Sequence, residues 1–470
     1  MSLDDVTDLV SSAELARELD EFGVKVRDFV KSVGTTADSV DVWIERRRQP
    51  TWHMRNAELL FSGATPSDRV VIRLGRDDQL HEWSTPALDS ETWRDLTQQA
   101  PMRSTATSVA ETSAPRSSIP GPVTFDGELA DALAPRRELH RITQAIATNV
   151  RHESERIPGL NEYAGHVSFT SVSTVVGNGA SVVGGVQGGL QARIEVNGQY
   201  GDVYGQVHGP ESFLPLALLG ARTWRTMPRE EASIRALRLG KATPVVLHPR
   251  VLEILLRKVP LSVFYGGEGE GPFESGETIA SPRLTLVDDP GLDGLWSSRG
   301  YDDEGRSTRR SPLIVRGRLT RSAGGRGAPK RLGQLNHPGN WWRRAPGGGQ
   351  PILERGLSSL LIERGEVSFH DLVGSARRTL LIQDIGEPEV LGNRGEFRCP
   401  IRWALGLERG GDSRVVPAQT LQLEGRLFGP SGRQAGLLTR AVLSRELYDT
   451  GSGILPYCLT QATVTETNSP

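Results

Sequence analysis

Cysteine is nearly absent. The 470-residue chain has two, Cys399 and Cys458, and two thiols can build neither a disulfide framework nor a four-thiolate zinc site by themselves. Lysine is almost as scarce, confined to Lys25, Lys31, Lys241, Lys258 and Lys330, so arginine supplies most of the positive charge. Neither sign of charge dominates. A formal net charge of −2 gives no global pull toward nucleic acid or an anionic membrane. No apolar run reaches the about 18 residues that a membrane helix needs. The acidic, amphipathic start MSLDDVTDLVSSAELAREL does not read as a secretory leader. The expectation is a cytoplasmic protein whose partners include no nucleic acid and no membrane.

What is present in quantity is glycine, 53 residues, and proline, 29. Both point to many turns and a sheet-rich architecture. The length exceeds what one core fills, so two or three domains are expected. AELARELDEFGVKVRDFVKSVG carries Leu15, Leu19, Phe22, Val26 and Phe29 at helical spacing, with Ser11 or Ser12 able to cap. Four strand-like segments follow, SVDVWIERRR, PTWHMRNAELLFSG, DRVVIRLGR and QLHEWST, and their order suggests an antiparallel meander. DSETWRDLTQQA opens on a capping Asp89 or Ser90. Residues 99–124 are rich in Ser, Thr, Ala and Pro and predict a mobile loop. A helix over 126–149, a second β region with a hairpin at GNGA (177–180) and a long helix over 210–239 complete the first half. Beyond Gly240 short strands alternate with Gly/Pro turns, and Ser368 and Asp371 form a capping-box-like pair. The reading is α+β: 1–98, an N-terminal helix plus antiparallel sheet; 99–124, the loop; 125–240, the rest of the N-terminal domain; 241–470, a β-rich C-terminal domain.

The nine histidines show no two-histidine helical pattern with an adjacent glutamate. His152 in RHESER begins like a zinc helix, but Arg156 stands where a second ligand is needed. The acid pairs Asp288/Asp289 and Asp302/Asp303 lie at turns. Such pairs can bind a cation or run acid–base chemistry, and they also mark solvated turns. YGGEGEGP lacks the fingerprint of a phosphate loop, and its glutamates would repel phosphate. NHPGNWWRR places Asn336, Trp341 and Trp342 beside two arginines, either an interface cluster or a buried pair. Cys399 lies in a strand pattern and reads as core.

In combination and in order, VVLHP before a helix, ASPRLTLVDDP, GYDDEGRSTRRSPLIVRGRL, LSSLLIERGEVSFHDLVGSARRTLLI and GEFRCPIRWALGLERG resemble the TldD/PmbA (TldD/TldE, modulator-of-gyrase) family. The N-terminal VDVWIERRRQPTWHMRNAEL and VVGNGA fit it too, so the resemblance runs over nearly the whole chain. It implies a two-subunit zinc peptidase that cuts small or unfolded peptides in an enclosed chamber. Its catalytic subunit carries HExxxH on the helix after the VVLxP strand, plus a late cysteine ligand. Here the three positions are Arg257, Lys258 and Ser262. Two cations cannot donate to zinc, and Pro260 should end or kink the helix. Cys458 stands in the third-ligand region, yet one soft ligand does not make a zinc site.

The resemblance therefore implies the metal-free, TldE/PmbA-type subunit, with no cofactor of its own. Its expected partner is a TldD-like, zinc-bearing subunit in a heterodimer or larger heteromer. Asp288, Asp289, Asp302, Asp303, Asn336, Trp341 and Trp342 are the candidate peptide-binding residues, and strand-edge pairing is the expected mode. The rivals are a metal-independent hydrolase using the paired acids and Cys458, and a homodimeric peptide-binding protein.

Overall fold

The computed structural model describes residues 11–33, 37–55, 58–62, 66–76, 79–99, 103–105, 131, 136–154, 163–178, 182–196, 199–205, 239–240, 242–258, 262–265, 272–292, 295, 297–320, 341–344, 352–375, 378–408, 413–416, 421–429, 436–450 and 452–466. Helix α1 (Ser12–Val33) buries Leu15, Phe22, Val26 and Phe29 of the stripe read from the sequence, with Leu19 partly buried and Val30 and Val33 added, against one sheet face. That sheet holds β1 (Ser39–Arg48), β2 (Thr51–Arg55), β3 (Glu58–Ser62), β4 (Ser67–Arg76), β5 (Gln79–Thr85) and β6 (Arg103–Thr105). It is completed by β7 (Tyr163–Asn178), β8 (Val182–Val196) and β9 (Gln199–Gly205). Val42, Ile44, Val70, Ile72, Leu74 and Trp83 meet α1 from below, each side chain contributing about 1.5–3 kcal/mol on burial. Helix α2 (Ser90–Gln98) is capped by Asp89, which accepts from the Thr92 amide at 2.7 Å. Helix α3 spans Arg136–Ser154.

Two expectations need correction. The sheet is not a simple meander: β1 and β2 pair end to end with one edge of β7 in a single register, and β8 takes the other edge. Long-range pairing wins because β7 is long enough to hydrogen-bond with both. The 99–124 segment is also not wholly loop, since β6 pairs with β5 inside it. The turn after Asn178, the helix expected over 210–239 and most of 106–130 lie outside the described residues.

All later strands belong elsewhere. β10 (Thr243–Leu247), β11 (Leu286–Asp288), β12 (Ser311–Val315) and β13 (Arg318–Leu319) precede a separate hairpin of β14 (Trp341–Arg344) and β15 (Ile352–Arg355). Then come β16 (Leu360–Ile362), β17 (Arg378–Ile385), β18 (Glu389–Val390) and β19 (Glu396–Glu408). The last four are β20 (Ser413–Val416), β21 (Leu421–Arg426), β22 (Val442–Asp449) and β23 (Gly453–Glu466). Because β10 pairs with both β17 and β23, the path β10-β17-β19-β21-β23 closes on itself. Closure removes free edges from those strands. Helix α4 (Pro249–Lys258) seats Val251, Leu252, Leu255 and Leu256 in the core shared with Val245, Leu247, Ile382, Cys399, Leu423 and Cys458. α5 is a single turn, Ser262–Tyr265, and α6 (Phe369–Gly374) is capped by Ser368, which accepts from the Asp371 amide at 3.1 Å.

Candidate functional site

At the junction of β10 and α4, Pro249 opens the helix where a missing amide costs nothing, and the His248 carbonyl accepts from Leu252 N at 3.0 Å. The His248 ring also accepts at Nδ1 from Arg250 N, at 3.2 Å, and sits edge-on between Tyr448 and Tyr457. Burial in this aromatic bracket pulls its imidazole down to about 4, so the ring is neutral near pH 7.

In the last turn of α4, Arg257 holds the helix to the rest of the domain. Its Nε donates to Glu253 Oε1 (2.7 Å), one Nη to the Leu357 carbonyl (3.0 Å), and the other to the carbonyls of Ser358 (2.8 Å) and Ser452 (2.7 Å). Ser452 Oγ also donates to Glu253 Oε1. One guanidinium thus ties α4 to the segment before β16 and to the turn between β22 and β23. Lys258 pairs with Glu387 at the surface. The helix stops at Lys258, before Pro260, and Ser262 begins the separate α5.

The fit of a metal here is a question of donors. Guanidinium and ammonium groups have no lone pair to offer, and Arg257 already saturates the neighbouring carbonyls. The residues at Arg257, Lys258 and Ser262 do not fit a zinc ion. Cys458 lies on β23 opposite Leu247, fully buried, its thiol pushed up to about 12 by burial, and Cys399 is raised likewise to about 12. Neither is poised as a thiolate.

The structure gives the sequence-selected acids definite partners. Asp288, only 3% exposed, accepts from Ser358 N (3.0 Å), Ser358 Oγ (2.6 Å) and Ser359 N (3.1 Å). It therefore braces the same segment that Arg257 holds from the other side. Asp289 accepts from Gly291 N at 3.2 Å and lies 3.5 Å from Arg310. Asp302 accepts from the amides of Glu304 (3.0 Å) and Arg306 (2.9 Å), shaping a tight turn that Gly305 completes at φ 76°.

Asp303 turns outward from that turn into the seam between the two sheets. It accepts from Trp43 Nε1 (3.2 Å), Arg299 Nη1 (2.6 Å) and the Arg343 amide (2.6 Å). Tyr301 donates to the Thr174 carbonyl at 3.1 Å and packs with Trp43, Val71, Val176 and Val183. Arg299 reaches Gln187 at 2.6 Å and lies over Trp342, 5.3 Å from the ring centre. Trp342 is buried, and its indole donates to the Gly356 carbonyl at 3.2 Å. Trp341 lies on β14, and Asn336 is outside the described residues. Asp288 thus joins the Arg257 network, whereas Asp303 and Trp342 meet at the seam. Glu253, Ser452, Ser358 and Arg299 were missed by sequence reasoning. Only the i, i+4 spacing of Glu253 and Arg257 could have signalled one of them.

Comparisons with known proteins agree with this layout. The chain shares its fold with TldE from Thermococcus kodakarensis (TM-score 0.68, 18% identity, 94% of this chain and 99% of that one). It shares it also with a protein from Thermotoga maritima described as a modulator of DNA gyrase (TM-score 0.70, 16% identity, 95% and 100%). A counterpart from Bacteroides thetaiotaomicron superposes at TM-score 0.66 with 16% identity over 97% of this chain and 100% of that one. The architecture is thus a shared α+β scaffold.

Residues 240–428 match the family model described as the PmbA/TldA metallopeptidase C-terminal domain. Over that stretch the chain is similar to the PmbA/TldA metallopeptidases. Two curated metalloproteases are similar to it. One, from Methanocaldococcus jannaschii, is 26% identical over 201 residues, 40% of this chain and 43% of the relative. The other, from Methanothermobacter thermautotrophicus, is 28% identical over 206 residues, 41% and 44%. The chain therefore spans less than half of either relative.

Proposed function

We propose that this chain is the metal-free, TldE/PmbA-like member of a heteromeric peptidase. Hydrolysis would be done by a TldD-like subunit that carries zinc, and this chain would shape the chamber and hold small or unfolded peptide. The observation that carries the proposal is Arg257: a guanidinium at the first ligand position, engaged with Glu253 and three backbone carbonyls. A residue so deeply embedded in structure is not a ligand awaiting a metal. The described residues include no helix long and apolar enough to cross a membrane, and a cytoplasmic complex is the setting proposed.

The test is co-expression with an HExxxH-bearing relative from the same genome. The expected result is a stable complex that hydrolyses peptide and holds zinc only in the relative. Stoichiometric zinc, or peptide hydrolysis, in the purified solitary chain would overturn the proposal and favour the metal-independent hydrolase.

A further inference from the structure

At the seam between the two sheets, two of the deepest arginines are under-paired. Arg343, on β14, has a side chain 2% exposed, and Arg73, on β4, one 12% exposed. Both converge on one oxygen of Glu82. Arg343 lies 3.4 and 3.5 Å from it and Arg73 3.6 Å, well beyond the about 2.7–2.9 Å of a charge-assisted bond. Arg73 also reaches Glu304 at 3.3 Å, and Arg306 lies 3.4 Å from the other oxygen of Glu304. Arg299 is taken by Asp303, and Glu45 is matched by Arg69 at 3.5 Å.

The decisive detail is that Arg73 Nε and Arg343 Nε are both buried with no hydrogen-bond partner among the described residues. A buried donor without an acceptor is costly, and more so when it bears charge. Burial and the neighbouring Arg73 also draw the Arg343 guanidinium below its ordinary range, against the pull of Glu82.

We propose that Arg73 and Arg343 form a binding site for one small oxyanion at the seam. Two guanidiniums that converge on one carboxylate oxygen at long range suit a group with several acceptor oxygens. Such a group is an inorganic oxyanion or the carboxylate that ends a peptide. Occupancy would supply acceptors to the two guanidiniums and fasten β14 to β4 and β5, strengthening the docking of one sheet on the other. The site stands whether or not the chain is a metal-free subunit, because it uses no residue of the Arg257 network.

The test is isothermal titration of the full chain at constant ionic strength. The probes are sodium sulfate, sodium phosphate, sodium acetate, and an N-acetylated dipeptide with a free or an amidated C-terminus. Saturable binding is expected, weakened by about tenfold or more in Arg343→Gln and in Arg73→Gln. Binding of the inorganic ions alone assigns a free-ion site. Binding of the free-carboxylate dipeptide and not its amide assigns a peptide terminus. Glu82→Gln guards against a variant that merely misfolds: removing the competing carboxylate should tighten binding several-fold, a gain that misfolding cannot mimic. No saturable binding by any probe, or affinity unchanged from the parent in both arginine variants, overturns the site.

Discussion

Arg257→Ala should be among the most damaging single changes in the C-terminal half. The substitution removes four hydrogen bonds, one to the Glu253 carboxylate and three to the carbonyls of Leu357, Ser358 and Ser452. Each hydrogen bond to a charged group contributes about 1.5–3 kcal/mol, but those contributions do not add when one side chain makes them all. Glu253 is 5% exposed and would keep only the Ser452 hydroxyl, so the larger cost is a buried carboxylate left without its cation. Breaking a buried pair in this way costs about 3–5 kcal/mol. The side chain of Arg257 is 22% exposed, and water can enter the gap, which favours the lower end.

The assay is urea unfolding of the full chain followed by tryptophan fluorescence, read as the shift of the transition that includes the C-terminal domain. Arg257→Lys should recover only part of the loss, because an ammonium on an unforked stem cannot reach four acceptors in one plane. Glu253→Gln should lessen the damage of Arg257→Ala, since the charge to be compensated is then gone. If Arg257→Ala changes stability by less than about 0.5 kcal/mol, the ordinary range for a surface position, the claim that this arginine is built into the structure fails. The reading of the HExxxH-matching position as a structural anchor fails with it.

Three further outcomes are expected. Gly185→Val should loosen the seam, because a Cβ at Gly185 already falls 3.0 Å from the Tyr301 hydroxyl. The expected loss is about 1–3 kcal/mol by overpacking, with greater protease sensitivity around Tyr301. His248 binds a proton at about 4 in the folded chain against an ordinary imidazole value of 6.5. The unfolded chain therefore takes up a proton first, and stability falls as pH drops from about 6.5 toward 4, with no further loss from this group below that. His248→Gln should flatten that part of the stability curve relative to the parent, and an unchanged slope would contradict the placement. Cys399 and Cys458, both held as thiols by burial, should resist a thiol-specific disulfide reagent at pH 8 and react only on addition of denaturant.

The fold was legible where one face of an element is apolar. The stripe from Leu15 to Phe29 and the alternation in SVDVWIERRR each encode their burial locally, and α1 and β1 follow them. The pairing of β1 and β2 with β7 was not legible, because its register is set by partners more than a hundred residues away. The short β6 was missed for a related reason. Its Arg-Ser-Thr has no apolar face to announce it, and the open side of β5 is what extends it.

The candidate site divides in the same way. That Arg257 and Lys258 offer no lone pair to a metal follows from their chemistry, and no structure was needed to see it. What Arg257 does instead could not be read, since three of its four acceptors are backbone carbonyls on segments about one hundred and two hundred residues distant. Backbone acceptors leave no mark in a sequence. The acid pairs mislead for the same reason: DDP and DDEG look like exposed ligands, yet Asp288 and Asp303 are each 3% exposed. Asp288 is held by two amides and the Ser358 hydroxyl, and Asp303 by one amide, Trp43 and Arg299. Oxygens already taken by fixed donors have little left to offer a ligand. The peptide binding proposed above would therefore draw its hydrogen bonds from elsewhere, and the under-paired guanidiniums of Arg73 and Arg343 are donors that the seam leaves over.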